Sequence, residues 1–154
     1  GLMIKNNEPY LIEYNIRMGD PECQVLMMDL KTDLVKILDY ATQNKMANLK
    51  IEWSKKKIIT FVLCANGYPL AYVKNKEIKN LNNFKLGKDL QVFHAGTYKK
   101  DNKIYSSGGR VLNITSSAKS IDEARKKSLS FLKKLNWKDG FYRKDIGWKA
   151  IKNR

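Results

Sequence analysis

The sequence predicts an α+β chain: a hairpin and helical segment first, then a small domain of mostly antiparallel strands with one long helix. Three observations predict it. Leu34, Ile37, Leu38 and Ala41 recur at i, i+3, i+4 and i+7, one apolar face of a helix. From Lys57 onward the apolar runs are short, rich in β-branched residues and bounded by turn formers. Beyond Ser120, Ala124, Leu129, Phe131, Leu132 and Leu135 make an apolar stripe against Lys126, Lys127, Lys133 and Lys134. A chain of 154 residues suits one domain or two small ones. Folding at this size hides roughly 70% of the surface an unfolded chain exposes.

The elements follow in order. Leu2–Ile4 and Pro9–Tyr14 flank Asn6-Asn7 and read as a hairpin, its second strand delivering Glu13 and Asn15. Asp20 is a good helix cap and Pro21 a good first helical residue. Val25 and Met28 begin an apolar face, and Thr32-Asp33 is a second cap signal, so the stretch from Pro21 to about Asn44 is either one bent helix or two. The character changes near Ala47–Lys50, which divides the chain into residues 1–48 and 49–154. Strands are expected at Lys57–Ala65, Gln91–Lys99, Lys103–Tyr105 and Gly109–Ser116, with Thr97–Tyr105 a hairpin having a polar tip. Ser120 or Asp122 caps a last helix of about fifteen residues. Gly1-Leu2-Met3-Ile4 already reads as a strand, so the chain is expected to be a fragment that begins inside a domain.

Composition narrows the function. The formal charge is +15, yet only five of the thirty basic residues are Arg, namely Arg17, Arg110, Arg125, Arg143 and Arg154. The Lys residues are scattered and Asn is abundant, a pattern of proteome bias more than of a built nucleic-acid groove. Non-specific attraction to nucleic acid at low salt is expected from charge alone. An electropositive pocket for anionic substrates is the other use of the same charge. Nothing approaches the ~20 apolar residues of a membrane span, and no signal peptide opens the chain. Cys23 and Cys64 lack metal-ligand spacing and fit reduced, partly buried residues of a cytoplasmic protein.

Glu13 and Asn15 lie two apart, so an extended chain points both the same way. A carboxylate and an amide oxygen suit Mg²⁺, which completes its shell with phosphate oxygens and water. They are either such a site or two solvated polar residues. Arg17 shares their face if the strand continues, and its fork matches phosphate. A helix opening at Asp20-Pro21 would add an anion-favouring end. Gly108-Gly109-Arg110 is either a close-approach turn with a phosphate clasp or a plain turn with a surface Arg. Tyr142-Arg143-Lys144-Asp145 reads as an ion-pair corner or a docking patch, with structure preferred. His94, in an apolar run, reads as a hydrogen-bonded core residue, and Trp53, Trp137 and Trp148 as packing residues.

The string Glu13-Tyr14-Asn15-Ile16-Arg17-Met18-Gly19-Asp20-Pro21-Glu22 resembles the motif that closes the ATP-grasp domain of the phosphoribosylamine–glycine ligase family, also called glycinamide ribonucleotide synthetases. Further islands follow in the family's order: Leu30-Lys31-Thr32-Asp33-Leu34, Ala65-Asn66-Gly67-Tyr68-Pro69, Val92-Phe93-His94-Ala95-Gly96-Thr97, Gly108-Gly109-Arg110-Val111-Leu112 and Tyr142-Arg143-Lys144-Asp145-Ile146-Gly147. The resemblance implies the end of an ATP-grasp domain followed by a β-rich domain. It implies an ATP-dependent ligase joining glycine to 5-phosphoribosylamine through glycyl phosphate, with Mg²⁺ or Mn²⁺ as metal and ATP as co-substrate. Glu13 and Asn15 then match the metal ligands. Arg17 and Asp20 fall beside the transferred phosphoryl group, and Gly108, Gly109 and Arg110 by the substrate's 5-phosphate. The family's glycine-rich phosphate loop, ATP-binding Lys and adenine pocket lie upstream, so the fragment is expected to be inactive alone. The alternatives are a free-standing basic nucleic-acid-binding module and another ATP-grasp carboxylate–amine ligase.

Overall fold

The computed structural model describes residues 1–152; Asn153 and Arg154, the end of the expected second domain, lie outside the described residues. Strands β1 (Leu2–Lys5) and β2 (Glu8–Leu11) form a separate antiparallel hairpin. Asn6 and Asn7 both take positive φ at its turn, a conformation Asn tolerates well. The second strand stops at Leu11 and residues 12–18 are irregular, so Glu13 and Asn15 do not lie on a strand as expected. Two helices follow, α1 (Glu22–Asp29) and α2 (Leu34–Thr42). The Asp33 carboxylate accepts the Val35 N–H at 2.7 Å and caps α2. That cap resolves the choice in favour of two helices. Residues 52–54 return to the α1–α2 connection, where Leu30 pairs with Trp53 and the Ser54 N–H donates to Asp29 O.

Then come β3 (Lys57–Ala65), β4 (Leu90–His94), β5 (Thr97–Lys100), β6 (Lys103–Ser106), β7 (Arg110–Ala118), α3 (Ile121–Leu135), β8 (Gly140–Phe141) and α4 (Trp148–Lys152). The expected strand 91–99 is therefore broken in two, with Gly96 packed against Gly108 at the corner. The short α4 was not expected. The central sheet is antiparallel in the order β4-β7-β3-β8, and β5 and β6 form their own hairpin.

Directly opposed residues share a sheet face. Ile59, Phe61 and Leu63 oppose Ser116, Ile114 and Leu112, and this face packs under Ala124, Phe131, Leu132 and Leu135 of α3 to make the core. Ser128, which an apolar stripe could not reveal, is also buried and shares a 2.7 Å hydrogen bond with Ser116 Oγ. Ser120 caps α3 through the Glu123 N–H. The opposite sheet face carries Thr60 opposite Thr115 and Val62 opposite Asn113, and α1 lies over it. A register shift between Leu63 and Cys64 sets Arg110 opposite Cys64 on this second face. Bulges of this kind re-aim side chains at strand ends.

The non-glycine residues with positive φ among those described are Asn6, Asn7, Asn44, Asn75, Asn80, Asp101, Asn102 and Asn136. His94 is exposed and bonded to Thr97 Oγ1 at 2.8 Å, which corrects its assignment to the core. Trp137 is buried, with its indole N–H on Glu77 O, whereas Trp53 and Trp148 are half-exposed. In the Tyr142–Asp145 corner Tyr142 is half-buried against the core while Arg143, Lys144 and Asp145 are exposed: Arg143 forks onto Asp145, and Arg125 donates to the carbonyls of Lys144 and Ile146. No described helix is long and apolar enough to cross a membrane.

Candidate active site

The irregular stretch after β2 and the start of β7 meet at one open cavity of about 1090 Å³. Its lining includes Glu13, Asn15, Arg17, Gly19, Asp20 and Arg110. Five residues singled out in the sequence, separated by up to ninety-seven positions, thus line the same space. Gly108 and Gly109 do not line it.

Glu13 and Asn15 sit together despite the missing strand, because Asn15 Nδ2 donates to Glu13 Oε1 at 2.9 Å. Arg17 bonds only its neighbour's carbonyl, Met18 O at 3.1 Å, and makes no ion pair among the described residues. An exposed guanidinium without a carboxylate partner is available for an anion.

Asp20 behaves differently. Helix α1 begins at Glu22, with Pro21 at the cap position, so Asp20 is not its cap as expected. The Glu22 carboxylate instead accepts the Gly19 N–H at 2.9 Å. Asp20 Oδ1 accepts Asn113 Nδ2 and Gln24 Nε2, each at 3.1 Å. Asp20 Oδ2 lies 3.5 Å from Arg110 Nη1, which also donates to the Asp20 carbonyl. Arg110 Nε donates to the Tyr68 hydroxyl at 3.2 Å. This bond, with the nearby Asp20 charge, holds the Arg110 pKa above its ordinary value. Burial pushes the neighbouring Cys64 thiol up, against the opposing pull of Arg110.

The close approach expected at the two glycines is real, but its partner is protein. A Cβ on Gly109 would lie 2.2 Å from the Tyr68 ring, and one on Gly108 would lie 3.0 Å from Gly96 Cα. The Gly108 N–H already donates to Gly96 O. Those contacts explain why glycines stand here. Sequence reasoning missed Tyr68 and Asn113 as site-building residues. The one available signal for Asn113 was an amide inside Val111-Leu112-Asn113-Ile114, an otherwise apolar run.

The donor set fits a divalent oxygen-seeking cation. Glu13 and Asn15 offer hard oxygens on an open cavity, as Mg²⁺ requires when phosphates and water complete its shell. Among the described residues no group of three or more His, Cys, Asp or Glu could hold a metal ion.

The sequence profile of the family described as "Phosphoribosylglycinamide synthetase, C domain" matches residues 58–149. A phosphoribosylamine–glycine ligase of Brucella melitensis is 44% identical over 151 residues, 98% of this chain and 35% of that protein. The chloroplastic phosphoribosylamine–glycine ligase of Arabidopsis thaliana is 43% identical, over all of this chain and 30% of that protein. The crystal structure of the Thermotoga maritima phosphoribosylamine–glycine ligase superposes with a TM-score of 0.69 at 33% identity, covering 94% of this chain and 35% of that one. The chain spans about a third of the length of the curated relatives it matches.

Proposed function

The chain belongs to the phosphoribosylglycinamide synthetase C-domain family, and from that premise we propose that it is the C-terminal part of an ATP-dependent ligase joining glycine to 5-phosphoribosylamine. The products are glycinamide ribonucleotide, ADP and phosphate, a step of purine synthesis that proceeds through glycyl phosphate. One observation carries the proposal: Glu13, Asn15 and Arg17, which has no ion-pair partner among the described residues, line one cavity with Arg110. Carboxylate and amide oxygens beside two guanidinium groups suit an anionic phosphoryl donor with its cation.

Glu13 and Asn15 would hold Mg²⁺ or Mn²⁺. Such a cation neutralises phosphate charge when bound. Arg17 would pair with the oxygens of the transferred phosphoryl group or the acyl phosphate, which its planar fork matches. Arg110 has Nε and Nη1 committed to Tyr68 and Asp20, and its Nη2 remains for the substrate 5-phosphate.

Residues 1–48 close an ATP-grasp domain and residues 49–154 form the β-rich domain. The uncovered apolar surface of the first part supports this division. Leu2, Met3, Ile4, Leu11 and Ile12 are each more than half exposed, and Leu38 of α2 is 56% exposed. That surface suits burial by upstream segments that carry the nucleotide pocket. The unpaired Cys23 and Cys64 favour the cytoplasm.

The test is turnover by a complete protein containing this segment. With ATP, Mg²⁺, glycine and phosphoribosylamine it should form glycinamide ribonucleotide and ADP in equal amounts. ADP release that depends on a different amine acceptor would overturn the assignment.

A further inference from the structure

Asn113 lies outside the cavity and has no part in the chemistry above, yet its environment is costly. It is wholly buried in the middle of β7, opposite Val62. Its Oδ1 has no hydrogen-bond partner among the described residues. A buried amide destabilises unless its polar atoms are satisfied, and a volume-matched apolar residue would pack here without that penalty. The amide nitrogen has one partner, Asp20 Oδ1 at 3.1 Å, ninety-three residues away in sequence. Arg110 reaches the same residue through both its carbonyl and its carboxylate. Gln24, one turn into α1, completes the set.

The segment so anchored needs an anchor. Residues 12–18 form no regular element, all are exposed, and Ile16 is fully so. Their upstream end is held by β2, and Asp20 is the first downstream side chain fastened to the sheet. Glu13, Asn15 and Arg17 lie between these two points.

We propose that Asn113 and Arg110, acting through Asp20, are positioning residues that fix the Glu13–Arg17 segment in the geometry its chemistry needs. Asp20 is then an anchor. Its carboxylate oxygens already meet Asn113, Gln24 and Arg110, and no proton or phosphoryl transfer is asked of it. The catalytic consequence rests on the ligase reading; the anchoring itself does not.

Two measurements separate them. Amide exchange is followed by mass spectrometry on the 154-residue chain, and turnover and Mg²⁺ dependence on the complete protein. Asn113→Asp sets a second carboxylate against Asp20, and Asp20→Ala removes the same contact from its exposed side without touching the core. Either should speed exchange of the hydrogen-bonded Gly19 and Cys23 amides by about tenfold while β3 and β7 stay protected, since local opening is independent of global unfolding. Either should lower kcat by about a hundredfold, the cost of an ångström-scale misplacement, and raise the Mg²⁺ concentration needed for half-maximal rate. The exchanged pair Asp20→Asn with Asn113→Asp should recover most of both losses, because it restores one carboxylate facing one amide.

Unchanged exchange of the Gly19 and Cys23 amides would overturn the anchoring. Faster exchange with unaltered turnover and Mg²⁺ dependence would overturn the positioning role. An exchanged pair that restores slow amide exchange yet turns over no faster than Asp20→Ala would show that position 20 itself needs a carboxylate for chemistry, which also overturns the positioning role. Absence of glycinamide ribonucleotide formation by the unsubstituted complete protein would count against the ligase reading, and the exchange measurement would still decide the anchoring.

Discussion

Arg17 and Arg110 show how two guanidinium groups on one cavity divide their work. Arg17 has no ion-pair partner among the described residues, whereas Arg110 is fastened on two sides by Tyr68 and Asp20. In the complete protein Arg110→Lys should raise the KM for phosphoribosylamine and leave that for ATP nearly unchanged. A Lys ammonium can keep Asp20 but cannot also span Tyr68 and a phosphate. Roughly 1.5–3 kcal/mol, the range for a hydrogen bond to a charged group, is the expected loss. A KM change confined to ATP would assign Arg110 to the nucleotide side. Glu13→Gln replaces a charged ligand with a neutral amide and Asn15→Ala removes an amide oxygen; each should cut kcat by about 10²–10³, in keeping with a lost electrostatic contact to a developing charge. Near-parental rates for both at low Mg²⁺ would refute the metal assignment. Glu13, Asn15, Arg17, Asp20 and Arg110 were legible because each is a polar residue of distinctive chemistry inside a motif. Asn113 and Tyr68 were not, because their importance lies in contacts made across forty or more residues of chain.

Among the elements, β3 was legible to the residue, since Lys57–Ala65 alternates between a core face and a face under α1. Helix α3 was equally clear from its stripe and its Ser120 cap. The end of β2 was not. The strand-like run continues through Tyr14, but pairing stops where β1 runs out of partners at Leu2. His94 was misplaced for a related reason: it ends β4, where the chain turns at Ala95-Gly96 and leaves the core. The loop before β4 carries its own fastening. Asp89 meets Lys56, Lys127 and Ser117 Oγ, joining the approach to β3, α3 and β7. These partners, Lys56 first, hold the Asp89 carboxyl below the usual carboxylate range. A depressed folded-state pKa gives stability that is present above the unfolded value and lost as pH falls through the folded one. Asp89→Asn should therefore lower Tm at neutral pH, with the difference closing in acid below about pH 4. Calorimetry across that range checks it; a difference that persists in strong acid would mean that packing, not charge, is involved.

At the scale of the whole molecule, charge and incompleteness make separate predictions. The 154-residue chain should form no glycinamide ribonucleotide from ATP, glycine and phosphoribosylamine, because on the proposed reading it carries only part of the site that binds ATP and metal. Product formation by the purified chain would refute this. Its net charge of +15 should produce binding to arbitrary DNA at low ionic strength. That binding should disappear near physiological salt, as counterion release by scattered Lys dictates. Salt-resistant, sequence-selective binding would instead point to a nucleic-acid module. The same composition reaches the backbone at its corners. Every described non-glycine residue with positive φ is Asn or Asp, the side chains that enter the left-handed region with least penalty. Glycine codons are rich in guanine, while asparagine codons begin with two adenines. A gene drifting toward adenine and thymine can therefore exchange one for the other at these bends, and the polypeptide keeps its turns while its coding sequence moves.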